Sequence, residues 1–205
     1  MRRALFLLTI VLSLTAAASL DEQVRAAIDD AEKLRALGPR VMPVLAKIYE
    51  TSDEVQRTTI AGDFYALAWK SAEAKRVLMR DIHSQNESLR VSVQYALGRV
   101  SDDPDVVTTL AAIMQHDDSA HFRDKAACAL AYDQVHLSDR QKVALLRQVI
   151  PALRSPISQV RMIAIQILQI RTGQNKGFHP FGPAADREKA VKEWERWIDE
   201  YARNL

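Results

Sequence analysis

Cysteine, glycine and proline are scarce in this chain of 205 residues. Cys128 is the only cysteine, so the chain cannot form a disulfide within itself and has no cysteine cluster for zinc or an iron–sulfur centre. Six glycines and seven prolines are few for this length, which favours long helices over turn-rich sheets. A chain of this length buries a continuous core without cross-links. The composition therefore predicts one helical globular domain stabilised by packing.

Apolar segments long enough to span a membrane are lacking at the N-terminus. The apolar stretch 4–14 is shorter than the roughly 20 residues that a membrane span needs. Two arginines precede it and the small residues Ala16–Ala18 follow it, an order typical of a secretory signal peptide. We expect residues 1–18 to be a signal peptide that is cleaved before Ser19, with export to the periplasm or the extracellular space. An uncleaved signal that tethers the chain is the alternative, whereas after cleavage no stable membrane insertion is expected.

An excess of charge of one sign is also lacking. The full chain carries 28 basic and 26 acidic side chains, a formal charge of +2. Cleavage of residues 1–18 removes two arginines and no acidic residue, which leaves 26 of each sign. A nucleic-acid binder needs a face rich in lysine and arginine to displace counterions. We therefore expect no nucleic-acid partner.

Four arginines mark an internal repeat. Arg57, Arg90 and Arg123 are 33 residues apart, and Arg161 follows after 38. A period of about 20–50 residues is typical of stacked helical units. Positions −1, +3 and +7 relative to each arginine lie on one helical face. These positions are occupied by Gln56, Ile60 and Phe64; Leu89, Val93 and Leu97; Phe122, Ala126 and Leu130; and Val160, Ala164 and Leu168.

A further helix is predicted between successive arginine segments, so that each unit is a helix pair. Asp103 before Pro104 and the pair Ser138 and Gln141 are typical helix starts, the last two forming a capping box. Pro151 falls inside the last of these helices and should kink or end it. The predicted ranges are Val41–Tyr49, Ser71–His83, Pro104–Gln115 and Asp139–Leu153.

The arginine segments resemble the bacterial HEAT-repeat family, in which a motif like Asp-x-x-Val-Arg-x-x-Ala-x-x-Ala-Leu opens the second helix of each pair. The matching stretches are 53–60, 86–97, 119–130 and 158–168. The resemblance covers about residues 38–172. It implies an all-α fold, namely a short right-handed α-solenoid of about four to five HEAT-like helix pairs.

In that family the arginine ties neighbouring repeats together through an acidic or carbonyl group in an adjacent turn. The resemblance therefore implies a structural role for Arg57, Arg90, Arg123 and Arg161. The first unit departs from the motif at Gln56 and Asp63, which argues against full burial of its face. We expect residues 19–37 to form one amphipathic helix that caps this end of the repeats.

The C-terminal segment 173–205 is predicted to be a Gly/Pro-rich loop followed by a capping helix. Ala190, Trp194 and Trp197 give this helix an apolar face, which can close the last repeat. The alternative is that Trp194 and Trp197 form a platform for a carbohydrate or a peptide.

One cluster of polar residues suggests a metal site, namely His116, Asp117, Asp118 and His121 at one turn between helices. A zinc or calcium ion is one interpretation, and aspartates that cap helix starts are the other and the favoured one. Cys128 lies between Ala127 and Ala129 and is expected to be a buried, inert thiol. We therefore predict no catalytic residue, no metal and no cofactor.

The sequence contains no nucleophile elbow, no His-Glu-x-x-His, no phosphate-binding glycine loop and no dinucleotide fingerprint. A repeat of helix pairs instead favours a curved binding surface. We expect a non-catalytic scaffold that binds a protein or a peptide outside the cytoplasm. The alternatives are an enzyme or enzyme accessory with a HEAT-like fold, and a structural component tethered to the membrane by an uncleaved signal.

Overall fold

A computed structural model describes residues 18–205, and these residues contain helices and no strand. The predicted all-α fold class is confirmed. The predicted signal peptide lies outside the described residues, apart from Ala18. The α-helices are α1 Leu20–Ala27, α2 Ala31–Leu37, α3 Val41–Thr51, α4 Glu54–Leu67, α5 Ala72–Asp81, α6 Glu87–Val100, α7 Pro104–His116, α8 Ala120–Cys128, α9 Asp139–Val149, α10 Ser158–Thr172 and α11 Ala184–Arg203.

The helices that carry the repeat arginines form one set, in which α4, α6, α8 and α10 each pack against the next. In the other set α3 packs against α5, α7 against α9, and α9 against α11. Consecutive helices of the two sets also contact each other, as α3 with α4 and α7 with α8 do. One apolar core runs through these contacts from Val24 in α1 to Ile198 in α11.

Local signals in the sequence set several helix ends. The predicted capping box of Ser138 and Gln141 is present, and α7 begins at the predicted Pro104. Helix α9 ends at Val149, and a 3₁₀ turn, Ile150–Arg154, follows it at Pro151. The predicted end of a regular helix at this proline is confirmed, because proline cannot donate the backbone hydrogen bond that would continue the α-helix.

The prediction of one capping helix over residues 19–37 is wrong, because the chain forms α1 and α2 there. Asp29 adopts a left-handed conformation with φ of 70°, which ends the first helix. The Asp30 side chain then accepts a hydrogen bond from the backbone N–H of Lys33 and starts the second helix. The two short helices pack on α3 and α4 respectively.

The expectation that the first unit's face is incompletely buried holds at Gln56, which is exposed, and is wrong at Asp63. Asp63 is 4% exposed, and its carboxylate accepts a hydrogen bond of 3.2 Å from the backbone N–H of Asp29. The sharp turn between α1 and α2 therefore rests on this buried carboxylate. Burial raises the pKa of Asp63 from its ordinary 3.8 to about 6, against the opposing effect of the Asp29 hydrogen bond.

This raised pKa predicts a pH-dependent contribution to stability. A folded-state pKa above the unfolded value means that the stability linked to the Asp63 proton is complete below pH 3.8 and is lost as the pH rises through about 6. The Asp63→Asn variant carries no such proton. As the pH rises from about 4 to about 7, the free energy of unfolding of the natural protein should therefore fall by about 2 kcal/mol relative to that of the variant. Urea unfolding at a series of pH values measures this difference, and a constant difference would contradict it.

Candidate binding face

The first two repeat arginines pair with carboxylates of the following helix pair. Arg57 Nη1 lies 2.9 Å from Asp81 Oδ2, and both side chains are largely buried. Arg90 forms an ion pair with Asp117, and its guanidinium carbon lies 3.9 Å from the centre of the Phe122 ring. The guanidinium is thus held between a carboxylate and an aromatic face. These contacts join α4 to α5, and α6 to the turn before α8.

The last two repeat arginines bind carbonyl and amide oxygens instead. Arg123 Nη1 donates to the backbone carbonyl of Asp117 at 2.6 Å, and its Nη2 donates to Gln159 Oε1 at 2.6 Å. Arg161 Nε donates to the carbonyl oxygen of Pro180 at 2.8 Å. All four arginines therefore join consecutive elements of the chain, and Arg90 also lines an open pocket of about 770 Å³ together with Asp117 and Phe122.

The polar cluster suggested as a metal site is used for internal hydrogen bonds. The Asp117 carboxylate pairs with Arg90 and accepts the backbone N–H of Ser119 at 2.9 Å. His121 Nε2 lies 3.4 Å from Glu87 Oε1 in α6. His116 is exposed at the end of α7. Among the described residues, no group of three or more histidine, cysteine, aspartate or glutamate side chains is placed to hold a metal ion. Asp117 therefore organises the turn and Asp118 is exposed, but the prediction that these aspartates cap a helix start is wrong, because Ser119 is the N-cap of α8.

The two tryptophans of α11 have different surroundings. Trp194 has no exposed surface and lies in the core, so the alternative of a platform made by both rings is wrong. Trp197 is half-buried, and its ring stacks on Tyr201 with centroids 5.3 Å apart. The two tryptophan rings meet edge to face at 5.5 Å. Helix α11 thus packs its apolar side on α9 and on the 3₁₀ turn.

An exposed face remains on the helices of the arginine set, on the residues five and nine positions after each repeat arginine. All eight residues are exposed or half-buried. Because these positions lie about one turn apart along one helix side, they form two rows that cross α4, α6, α8 with the turn that follows it, and α10. We call this surface the open face. Its residues are Gly62, Tyr95, Cys128 and Gln166 in one row, and Ala66, Arg99, Tyr132 and Ile170 in the other.

The open face has a groove of about 250 Å³ between α8 and α10. Tyr132 is 60% exposed and Ile170 is 44% exposed, and both line this groove. Cys128 also lines it and is half-buried, so the prediction of a buried thiol is wrong in its burial. Burial still raises the pKa of the Cys128 thiol, with a further contribution from Asp124. The thiol therefore stays protonated at neutral pH and acts as an apolar lining group.

A polar group next to the groove fixes the neighbouring aromatic rings. The guanidinium carbon of Arg99 lies 4.1 Å from the centre of the Tyr65 ring, and Arg99 Nη2 donates to the Tyr65 hydroxyl at 3.1 Å. The Arg99 Nε donates to Asp133 Oδ1 at 3.0 Å. Burial raises the pKa of Asp133, although Arg99 opposes this shift. Tyr65 and Tyr95 have ring centroids 6.3 Å apart. Arg99 therefore holds the Tyr65 ring in place beside the open face, next to Tyr95.

The backbone beside this group is tightly packed. Helix α8 continues into a π-helical turn, Ala129–Asp133, which the sequence did not predict. A Cβ on Gly98 would lie 2.8 Å from the Asp133 carbonyl oxygen, so only glycine fits where α6 crosses this turn. His136 Nε2 lies 2.9 Å from the carbonyl oxygen of Ala68 and 2.8 Å from that of Arg99. These contacts lock α4, α6 and the π turn together.

Sequence reasoning missed Tyr95, Arg99, Tyr132 and Ile170 because it followed the buried positions of each repeat. Counting outward from the same arginines would have found them, since offsets +5 and +9 fall on the side opposite to the core. Asp133 gave no such signal, because its burial depends on the π turn.

Comparison with known proteins finds no matching family model, no matching curated protein and no matching solved structure. None of the described helices is both long and apolar enough to cross a membrane.

Proposed function

We propose that this protein is a non-catalytic scaffold that binds a protein segment on its open face. The observation that carries the proposal is the pair of exposed rows across α4, α6, α8 and α10, with Tyr132 and Ile170 beside a groove. Aromatic side chains are enriched at the centres of protein interfaces because they bury much area at a small entropic cost. An exposed apolar surface beside a concave groove is typical of an interaction site.

The charges of the open face indicate what the partner presents. Arg99, the one charged residue among the eight of the open face, pairs with buried Asp133, and the carboxylate of Asp124, which lines the groove, lies 3.1 Å from Lys125 Nζ. Because these cations already have carboxylate partners, the face offers little free charge. We therefore infer that the partner inserts an uncharged aliphatic or aromatic side chain into the groove. The backbone of the partner then contacts the hydroxyl groups of the open-face tyrosines.

We further propose that the helix pairs form a short right-handed HEAT-like α-solenoid of about four to five units. Three observations support this arrangement. The arginine helices pack in chain order, the other set packs largely in the same order, and the repeat arginines join successive pairs. A solenoid built in this way presents one continuous helical layer to a partner.

Peptide selection tests the binding proposal directly. A library of random peptides displayed on phage is selected against the purified protein, and the dissociation constants of the selected peptides are measured by fluorescence anisotropy. We expect Tyr132→Asp to weaken binding about tenfold or more, because it places a charge at the rim of an apolar groove. The control is Phe181→Asp, since Phe181 is 64% exposed and lies in the connection before α11. Equal loss in both variants, or no selected peptide, would contradict the proposal.

Export is the second part of the proposed function. Ser19, the first residue after the proposed cleavage point, is the N-cap of α1 and forms a capping box with Glu22. Its backbone nitrogen lies 2.7 Å from Glu22 Oε2, so a new α-amino group at Ser19 would retain a carboxylate partner. We predict that protein recovered from its native source begins Ser19-Leu20-Asp21. N-terminal sequencing measures this, and recovery of residues 1–18 on the mature chain would favour the tethered alternative.

A further inference from the structure

A cavity of about 330 Å³ lies between α9, the end of α10 and α11. Leu145 and Leu146 of α9 form one apolar wall, and Trp197 and Tyr201 of α11 form the aromatic wall. Thr172 and Gln174 add uncharged polar groups, and the two remaining lining residues are cations. No carboxylate lines the cavity. Its volume is at the lower end of the range for small-molecule sites.

Arg171 supplies the inner cation. Its Nε and Nη2 donate to a single acceptor, the Leu130 carbonyl oxygen, at 3.0 and 2.7 Å. Within the described residues no carboxylate lies within ion-pair distance of this guanidinium. By contrast, the Arg161 guanidinium donates hydrogen bonds to three carbonyl oxygens, those of Pro180, Ser155 and Pro156. Burial lowers the pKa of Arg171, and Asp133 opposes this shift only from a distance. A half-buried cation with one neutral acceptor attracts an anion.

Lys142 is the second cation that lines the cavity, and Lys176 lies over one of its wall residues, Trp197. The one carboxylate partner of Lys142 is Asp139, in an exposed pair with an Nζ to Oδ1 distance of 2.9 Å. Lys176 Nζ lies 5.1 Å from the Trp197 ring centroid. The stacked rings of Trp197 and Tyr201 both line the cavity. Cationic groups and an apolar wall therefore meet in one small, partly open cavity.

We propose that this cavity binds an organic carboxylate with a compact apolar or aromatic body. The carboxylate lies between Arg171 and Lys142, and the apolar body fills the space between Leu146 and the Trp197 and Tyr201 rings. Two sources share this chemistry, namely a free carboxylic acid and the C-terminal carboxylate of a peptide that ends in an apolar residue. The proposal does not rest on the open face, because none of the residues that line this cavity belongs to that surface.

Titration of the purified protein with matched probes tests the site. The probes are 4-phenylbutyrate, N-acetyl-Leu-Phe with a free C-terminus, and the same dipeptide as its C-terminal amide. Binding is followed by isothermal titration calorimetry and by tryptophan fluorescence, because Trp197 lines the cavity. We expect at least one acid to bind and the amide to bind about tenfold more weakly or not at all, since it lacks the charge. Tighter binding of the free acid identifies a small-molecule site, and tighter binding of the dipeptide acid identifies a peptide C-terminus.

Three variants locate the binding. Arg171→Met should weaken the acid about tenfold or more, and Lys142→Met should weaken it several-fold. Lys142 is exposed, so its variant keeps the test valid if Arg171→Met fails to fold. The matched control is Arg147→Met, because Arg147 lies on the same helix, pairs with Asp199 at 2.9 Å and does not line the cavity. Equal binding of acid and amide, no binding of either acid below about 1 mM, or an equal loss in Lys142→Met and Arg147→Met would overturn the proposal.

Discussion

Replacing Trp194 with alanine is expected to lower the free energy of unfolding by about 3–5 kcal/mol. Trp194 is the largest side chain with no exposed surface, and it lies where α11 packs on α9 and the 3₁₀ turn. Removing the indole leaves a cavity that the surrounding helices can fill only in part. The loss is a large fraction of the roughly 5–15 kcal/mol that stabilises a typical domain. Urea unfolding followed by far-ultraviolet circular dichroism measures the change.

Trp197→Ala is the matched control for this prediction. Trp197 lies on the same helix with its ring 5.5 Å from that of Trp194, but it is only half-buried. Its removal should cost clearly less, because part of the space it leaves is open to water. If Trp194→Ala cost less than about 1 kcal/mol, as substitutions at exposed sites do, the packing of α11 described here would be wrong.

Replacing Arg90 with methionine is expected to cost about 3–5 kcal/mol, because it leaves the buried Asp117 carboxylate without its cation. The side chains of this pair are only 10% and 13% exposed. The variant also loses the contact of the guanidinium with Phe122 and the hydrogen bond of Arg90 Nε to the Ile82 carbonyl oxygen. Chemical denaturation at neutral pH measures the effect.

A second arginine pair on the same protein provides the control. Arg76 and Glu50 also join neighbouring helices, but their side chains are 56% and 32% exposed. Arg76→Met should therefore cost less than about 1 kcal/mol. The double variant Arg90→Met with Asp117→Asn should recover part of the loss, because it removes the unpaired charge and keeps an acceptor for the backbone N–H of Ser119. Equal costs for Arg90→Met and Arg76→Met would show that burial does not determine the strength of these pairs.

Much of the helical organisation could be predicted from the sequence, because it depends on signals within a few residues. Apolar positions at helical spacing around the repeat arginines located α4, α6, α8 and α10, and Pro104 and Pro151 marked helix boundaries. The break between α1 and α2 could not be found in this way. It depends on the left-handed conformation of Asp29, which is held by a carboxylate 34 residues away in the chain.

The open face could be predicted only in part. Its two rows repeat with the arginines, so Tyr95, Tyr132 and Ile170 are visible in the sequence once the outward positions are counted. The polar group formed by Arg99 and Asp133 is not visible, because the π turn brings Asp133 into the core. A π turn has no reliable local sequence signal and depends on tertiary packing.

The proposal that the open face binds a protein is tested most directly by crosslinking the protein to its partners in extracts of its native source. Captured proteins are identified by mass spectrometry, with Tyr132→Asp and Phe181→Asp as paired variants. We predict one partner that is captured by the natural protein and by Phe181→Asp, is lost in Tyr132→Asp, and is crosslinked through Lys125 beside the groove. A partner that Tyr132→Asp retains in full, or whose crosslinks map away from α6, α8 and α10, would contradict the account.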